Sequence, residues 1–422
     1  MKLTKNLWIA LIVAIILRLI ISGITYHPDF SGQLLSGYFF GYKNVTNIYD
    51  YLVSLPPTHP LVKNFGVGDI FIYPPLTYFT LGSFIKLTSP LVSEKFFLNL
   101  MNGMSIYQPG IVWNLIILKF PYLVIDIAMA FVLASLFDNE KQKKWAFLLW
   151  LFNPITFYAT FSMGVFDIIP AIFTVLSLVF AKKKKLGLAA VMISIGAAYK
   201  QYPLFLLPFV VFSAKGFWNR VKVALCGIVP YILTIAPYLH SSAFKAMVFG
   251  PKSQKEFYME WLVSGADGLY PYLLGFVLLV WHAYRNLHLS EKLWKYYLGY
   301  FLILFSVTNF HPQWFLWVAP FLVIELVANS WHNLWIDLTI FACYVFIVLT
   351  FDYSLSVGLF AVVNHNLNNF PGFDKLIAAK TDLFFLKSSV RSILAATSVF
   401  LILDLLKSKR KGDLRINPAK NK

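Results

Sequence analysis

The chain has 422 residues, 59% of them hydrophobic and 18% aromatic, against only 13% charged. That much apolar surface excludes a soluble globular protein, and uncharged runs of about 18 residues or more read as transmembrane helices. The net charge of +17 does not point to nucleic acid, because the Lys and Arg residues stand between hydrophobic segments, where basic cytoplasmic loops account for them.

The first apolar segment, LWIALIVAIILRLIISGI, covers a span near 7–24 and follows MKLTKN. It is long for a signal-peptide core, carries Arg18 and lacks a small-residue cleavage site, so it reads as a retained anchor. Further spans are expected near 111–136, 145–161, 164–180, 186–199, 203–213, 219–239, 268–284, 296–309, 312–328, 334–351 and 388–406. The 203–213 segment is short enough to be tilted or half-inserted. Cys226 and Cys343 both fall in apolar helices, which argues against a disulfide framework. An Asn-Val-Thr sequon at Asn44 is a weak motif by itself.

Between the first two spans lies FGVGDIFIYPPLTYFTLG, residues 65–82. Pro74 and Pro75 are costly inside a helix but tolerated in its first turn. A helix beginning there would lie along the membrane surface, with Asp69 in water just ahead of it. Leaving this helix out of the crossings places the N-terminus, DNEKQKKW, AKKKKL, AKGFWNRVK, YRNLHLSEKLWK and the basic tail at 407–422 on one side. Those segments hold 22 of the 36 Lys and Arg residues, the opposite loops ten, and the spans or their ends four. The asymmetry orients both termini to the cytoplasm. The expected architecture is an all-α polytopic membrane protein: a single domain over 1–422, with about 10–12 transmembrane helices. Its outer loops are 25–110, which holds juxtamembrane helices, 240–267 and 352–387.

Ionisable groups inside spans are functional candidates by default. Arg18 could snorkel to the outer headgroups or contact a ligand. Lys119 and Asp126, seven residues apart, share a helical face; an interhelical pair or a structural hydrogen bond is as reasonable for them as catalysis. Glu325, Asp337 and Asp404 look structural. Three polar breaks fall at outer helix ends: Asp167 at a helix N-terminus, Lys200 and Gln201 ahead of Pro203, and His311 and Gln313 around Pro312. Asp167 reads as a cap favoured by the helix dipole or as a substrate contact.

These segments resemble the polyprenyl-phosphate-dependent glycosyltransferases of the GT-C class. Asn153-Pro154, Gly164 to Asp167, Lys200 with Tyr202-Pro203, and Pro208 are similar to the GPI mannosyltransferase pattern. Arg18, Asp29-Phe30 and Tyr73-Pro74-Pro75-Leu76-Thr77 resemble the dolichyl-phosphate-glucose glucosyltransferases. HPQWFLWVAP looks like the late GT-C segment that reaches the donor phosphate. Where the mannosyltransferases carry Asp-x-Asp, this chain has His27-Pro28-Asp29, which weighs against a metal-bridged donor. No cofactor is called for, and a divalent metal stays open.

The resemblance implies an inverting hexosyltransferase, mannosyltransferase favoured, acting on the extracytoplasmic face. A polyprenyl-phosphate sugar would be its donor and a lipid-linked or surface glycan its acceptor. The membrane would be the cell membrane in a prokaryote and the endoplasmic reticulum in a eukaryote. Asp29 is then the expected general base, with Arg18, Lys200 and His311 on the leaving phosphate. His27, Asp69, Tyr73, Asp167, Gln201 and Gln313 complete the expected substrate contacts. The alternative is a multi-pass secondary transporter or a flippase for lipid-linked sugars, which predicts similar halves and midplane charges.

Overall fold

The computed structural model describes residues 3–66, 70–104, 106–250, 259–265, 267–286 and 290–407. It is an all-α polytopic membrane protein, whose described strands are two-residue pieces pairing Trp261–Leu262 with Gly268–Leu269. Helix α1 (Lys5–Ile24) is followed by five short helices: α2 (Pro28–Gly41), α3 (Ile48–Ser54), α4 (Pro60–Phe65), α5 (Pro75–Leu87) and α6 (Glu94–Met101). Then come α7 (Ile111–Ser135), α8 (Glu140–Leu151) and a turn, α9 (Pro154–Thr156), that widens into a π-helix at Phe157–Ser162. The chain continues through α10 (Ile168–Lys182), α11 (Leu186–Ala197), α12 (Leu207–Phe212), α13 (Phe217–Ile235) and α14 (Ser242–Phe244). It ends with α15 (Pro271–Asn286), α16 (Leu293–Val307), α17 (Ala319–Ala328), α18 (Leu334–Leu349), α19 (Gly372–Ala378) and α20 (Leu383–Lys407).

Among the described residues, four helices have the length and composition to cross a bilayer alone: Lys5–Ile24, Ile111–Ser135, Phe217–Tyr238 and Leu383–Lys407. Six further stretches among the described residues are shorter apolar helices, Ile168–Lys182, Leu186–Ala197, Tyr202–Phe212, Leu293–Val307, Pro312–Ala328 and Leu334–Leu349, while the segments expected at 145–161 and 268–284 fall on α8 with α9 and on α15. The segment expected as 145–161 divides at Asn153, whose side chain accepts the Ile155 N–H at 2.9 Å and restarts the helix with Pro154 in its first turn. The one expected as 312–328 opens as a 3-10 turn, Pro312–Trp317, before α17. In both cases a polar residue followed by Pro sets the break.

The Pro-Pro helix expected from sequence is α5, with Pro74 as its cap. At 13 residues it is about 20 Å long, short of a bilayer core. It packs on α2 through glycines: a Cβ at Gly82 would meet the Gly37 carbonyl at 2.6 Å, and one at Gly41 the Gly82 carbonyl at 2.6 Å. That backbone-to-backbone contact sets α2 and α5 side by side.

Basic loops gather at one end of the helices. There Lys182 pairs with Asp138 and Lys184 with Glu291. Glu325, read as structural, accepts from Asn329 and Asn333, and Asn333 reaches Asp404 as well. The polar breaks meet at the other end. The basic tail beyond residue 407 and part of the 240–267 loop lie outside the described residues.

Candidate functional site

Three sequence features build the site. His27 accepts the Asp29 N–H at 3.2 Å and starts α2 with Pro28 in the first turn, which fixes Asp29 at that helix's N-terminus. Gly164, at φ +79°, turns the chain out of the π-helix into α10; a Cβ there would lie 2.8 Å from Lys119 Cε. His311 precedes the Pro312–Trp317 turn, and its backbone carbonyl accepts the Trp314 N–H at 2.9 Å while its ring stays out of the cap. Each is a local device for stopping or starting a helix, and together they bring three distant segments to one place.

The result is a cavity of about 390 Å³. Asp29, Gln33, Tyr73, Asn309, His311, Gln313 and Trp314 supply its polar and amphipathic lining, and Phe65, Ile70, Ile72 and Phe351 its apolar wall. Polar groups with unused capacity sit here: His311 Nδ1, Gln313 Oε1 and, beneath them, Asp167 Oδ2 are buried with no partner among the described residues. Buried polar atoms are normally paired, so these three keep hydrogen-bonding capacity open to a ligand or to water at the concavity.

Under the cavity Lys200 Nζ donates to Asp167 Oδ1 at 2.9 Å, and Trp317 Nε1 donates to the same oxygen. The rings of Tyr73, Phe166, Trp314 and Trp317 enclose the ammonium at 5.0–5.9 Å. Tyr202, Trp317 and Trp314 stack in succession, at 4.1 and 5.3 Å between centroids. This floor holds the Asp167–Lys200 pair as a desolvated, geometrically fixed unit.

The electrostatics of the cavity are set mainly by desolvation. Asp29 is 43% exposed into the concavity, yet the surrounding protein pushes its carboxyl above the ordinary value, with His311 and Lys200 opposing the shift. Burial lowers His311 to about 4 despite Asp29 nearby. It lowers His27 to about 4 as well, against the pull of Asp352. Both imidazoles are therefore neutral at pH 7. Three acidic side chains, Asp29, Asp167 and Asp352, act on the site together with two basic ones, Lys200 and, on His27, Lys119, an acidic balance that suits a cation better than an anion.

The structure brings Asp29, Tyr73, His311 and Gln313 together, with Asp167 and Lys200 below. Arg18 stands elsewhere: its Nε donates to Asp126 Oδ2 at 2.6 Å, fully buried between α1 and α7, with its guanidinium over Phe157 at 4.4 Å. It is a structural cation rather than a phosphate partner. His27 is buried as a helix cap, with Nε2 3.3 Å from Ser354 Oγ. Gln201 is directed at the Tyr231 hydroxyl, 3.2 Å away, and does not line the cavity. Asp69 lies outside the described residues. The residues that sequence reading passed over are Gln33, Asn309, Trp314 and Trp317. The two tryptophans were visible as a three-residue repeat behind His311, a spacing that puts them on one side of a 3-10 turn.

A family model described as GPI transamidase subunit PIG-U matches residues 86–318, more than half of the chain. No curated protein and no solved structure matches. The family match corrects the resemblance to GT-C glycosyltransferases. It overturns the hexosyltransferase activity, the polyprenyl-phosphate-sugar donor with its glycan acceptor, and Asp29 as the base of a sugar transfer; nor does it support a transporter or flippase. The motifs behind the resemblance serve architecture here. Asn153-Pro154 restarts a helix, Gly164 makes a left-handed turn, and Asp167 and Lys200 close a buried pair. Such devices fix helix ends without specifying a reaction.

Proposed function

This chain belongs to the PIG-U family, and on that premise we propose that it is a membrane-embedded subunit of a GPI transamidase-type complex. It holds the polar head of the glycolipid in the Asp29–His311 cavity, and a partner subunit carries out the transamidation. The observation that carries this reading is the character of the cavity. Its described lining offers hydrogen-bonding groups and aromatic faces but no serine, threonine, cysteine or lysine to act as a nucleophile. Cys226 and Cys343 belong to α13 and α18, away from it.

The chemistry fits a glycan that ends in an amine. Trp314 offers a flat ring to the C–H face of a sugar, and the unpaired His311 Nδ1 and Gln313 Oε1 meet hydroxyl groups. Asp29 complements an ammonium, which becomes the amine nucleophile of a transamidation once it has given up a proton. The expected orientation puts this cavity on the extracytoplasmic side, which in a eukaryotic cell is the lumen of the endoplasmic reticulum.

An epitope-tagged full-length chain, isolated in mild detergent, should bring with it an activity that joins an amine to a protein acyl group. His311→Ala with Gln313→Ala should leave the complex assembled and weaken capture of a soluble, amine-bearing inositol glycan by about tenfold or more, as expected for losing two buried hydrogen bonds. A chain that isolates alone, and whose loss leaves GPI attachment intact, would overturn the reading.

A further inference from the structure

At the end of the molecule opposite the cavity, two carboxyls meet inside the protein. Glu325 of α17 is fully buried and Asp337 of α18 is only 6% exposed, and their carboxyls lie within hydrogen-bonding reach of each other. Asn329 and Asn333 donate to Glu325 Oε1 at 2.9 and 2.7 Å. Asn333 also reaches Asp404 Oδ2 at 3.2 Å, so the corner joins α17, α18 and α20. Three oxygens are left over: Glu325 Oε2 and both oxygens of Asp337 are buried with no partner among the described residues. None of the ion pairs among those residues reaches either carboxyl.

An ionised carboxylate accepts and never donates, so two of them in contact need a positive species between them. A proton carried by Asp337 and given to Glu325 Oε2 would satisfy two of the three oxygens and strand the third. A metal ion can take all three. Oxygen donors without nitrogen or sulfur select a hard cation, and two carboxylates match a charge of two. Among the described residues no third His, Cys, Asp or Glu completes a group here, so amide oxygens and water would fill the remaining positions. Ca²⁺ accepts such a mixed, irregular set, including a bidentate carboxylate, whereas Mg²⁺ demands a near-ideal octahedron and gives up its water reluctantly. We propose that Glu325 and Asp337 form a divalent-cation site, best fitted to Ca²⁺, that ties α17 to α18 at the end carrying the basic loops. Asn333 is its positioning residue, holding Glu325 in place from the turn between the two helices.

The test uses the full-length chain in its native complex, held in mild detergent at pH 7 and stripped with EDTA. Equilibrium dialysis against radiolabelled Ca²⁺ compares parent with variants, so calcium bound by other subunits cancels. The parent should hold one more Ca²⁺ per chain than Glu325→Gln or Asp337→Asn. Asn333→Ala, which unseats Glu325 without removing a ligand, should weaken binding about ten- to a hundredfold, and loss of either carboxylate should weaken it further. Mg²⁺ should compete poorly and Na⁺ hardly at all. Melting gives a second readout. Added Ca²⁺ should raise the melting temperature of the stripped parent, because a ligand held only by the folded state stabilises it, and should not move Asp337→Asn. Without calcium, Asp337→Asn should melt at or above the parent, since the amide keeps the shape and removes the contact between like charges.

Equal calcium in the parent and both carboxylate variants, or a parent melt that Ca²⁺ leaves unmoved, would overturn the proposal and assign the contact to a shared proton. Sodium acting as strongly as calcium would overturn the divalent assignment. A stripped Asp337→Asn that melts well below the stripped parent would also overturn it, because the carboxylate would then serve the fold without a metal. The site stands apart from the glycolipid reading. Glycan capture reports on the cavity and calcium on this corner, so each fails alone.

Discussion

Arg18 and Asp126 form a fully buried ion pair, Nε to Oδ2 at 2.6 Å, that joins α1 to α7. Asp126 Oδ1 also accepts from Trp150 Nε1 at 2.8 Å, and Arg18 Nη1 donates to the Ala14 and Leu151 carbonyls. One turn and more toward the site, Lys119 Nζ donates to the carbonyls of Ser22, Thr25 and Phe161 at 3.2, 2.8 and 2.7 Å. Residue number rises from Arg18 to Thr25 on α1 and its end while it falls from Asp126 to Lys119 on α7. The two contacts are thus the rungs of one antiparallel seam.

Removing one member of a buried pair strands the other charge. Arg18→Met alone, or Asp126→Leu alone, should therefore destabilise the protein by about 3–5 kcal/mol. The double variant Arg18→Met/Asp126→Leu should recover most of that loss, because a packed apolar pair is often no worse than a buried ionic one. Thermal unfolding in detergent, followed by tryptophan fluorescence, measures all three. A double variant as unstable as the worse single one would contradict the seam as drawn. Soluble-glycan capture by the double variant should match that of the parent, since neither residue lines the cavity.

The seam also marks how far the sequence is readable. The seven-residue spacing of Lys119 and Asp126 put them on one face, and the structure buries both on that face. Their partners could not be read in the same way. Arg18 lies 108 positions from Asp126, and local periodicity carries no information about which helices become neighbours. Polar breaks were legible for the opposite reason: Asn-Pro, Tyr-Pro and His-Pro act on their own backbone, so position 154, 203 or 312 announces a helix end without any tertiary context. Arg18 meets Asp126 of α7 and not a phosphate because a cation inside a span is least costly beside a carboxylate, and which helix brings that carboxylate is a tertiary fact. Chemistry was the least legible level, since the motif residues hold helix ends together and part of the cavity's character comes from Gln33 and Asn309, which carry no local signal.

Gly164 is a place where a single methyl group should be felt. Its φ of +79° belongs to the left-handed region, and an added Cβ would press on Lys119 Cε at 2.8 Å and on Phe30 at 3.1 Å. Gly164→Ala should lose about 1–2 kcal/mol from backbone strain alone, and more if Lys119 is displaced from its carbonyls. The same fluorescence melt detects it. Gly110, in the left-handed region at φ +74° and ψ +13° with nothing within 4 Å of its Cβ position, is the control: Gly110→Ala should show only the backbone part of the effect.

Gln313 separates stability from binding. Its Oε1 is buried without a partner among the described residues, and such a group costs the folded state about 1–3 kcal/mol. Gln313→Met keeps the length of the side chain and removes that cost, so the variant should melt at the same temperature or higher. It should also capture the soluble inositol glycan about tenfold less well, having lost one hydrogen bond to the ligand. Equilibrium binding and melting on one preparation give both readouts. A variant that melts lower and binds normally would mean that Gln313 serves the fold alone.

Acid should loosen the site before it unfolds the helices, and His27 is the group that reports it. Burial holds its folded value near 4 against an ordinary 6.5, with Asp352 raising and Lys119 lowering it, while Asp29 and His311 flank the ring at 3.7 and 6.1 Å. The unfolded chain therefore takes up the proton first as pH falls. Stability from this group is complete above about pH 6.5, drains away on the way down, and levels off below about 4, for a total on the order of 3 kcal/mol. His311, lowered to about 4 as well, contributes in the same window and with the same sign. Asp29 is shifted upward and acts with the opposite sign, favouring the folded state as it protonates, from its raised value down to about 3.8. Between pH 7 and 5 the two histidines should prevail, and the melting temperature should fall. His27→Asn keeps an acceptor for the Asp29 N–H, since Asn is a good helix cap, but it cannot titrate. Its melting temperature should decline over that interval by roughly half as much as the parent's, leaving the share that belongs to His311. An unchanged slope in His27→Asn would show that His27 is not held neutral by the fold.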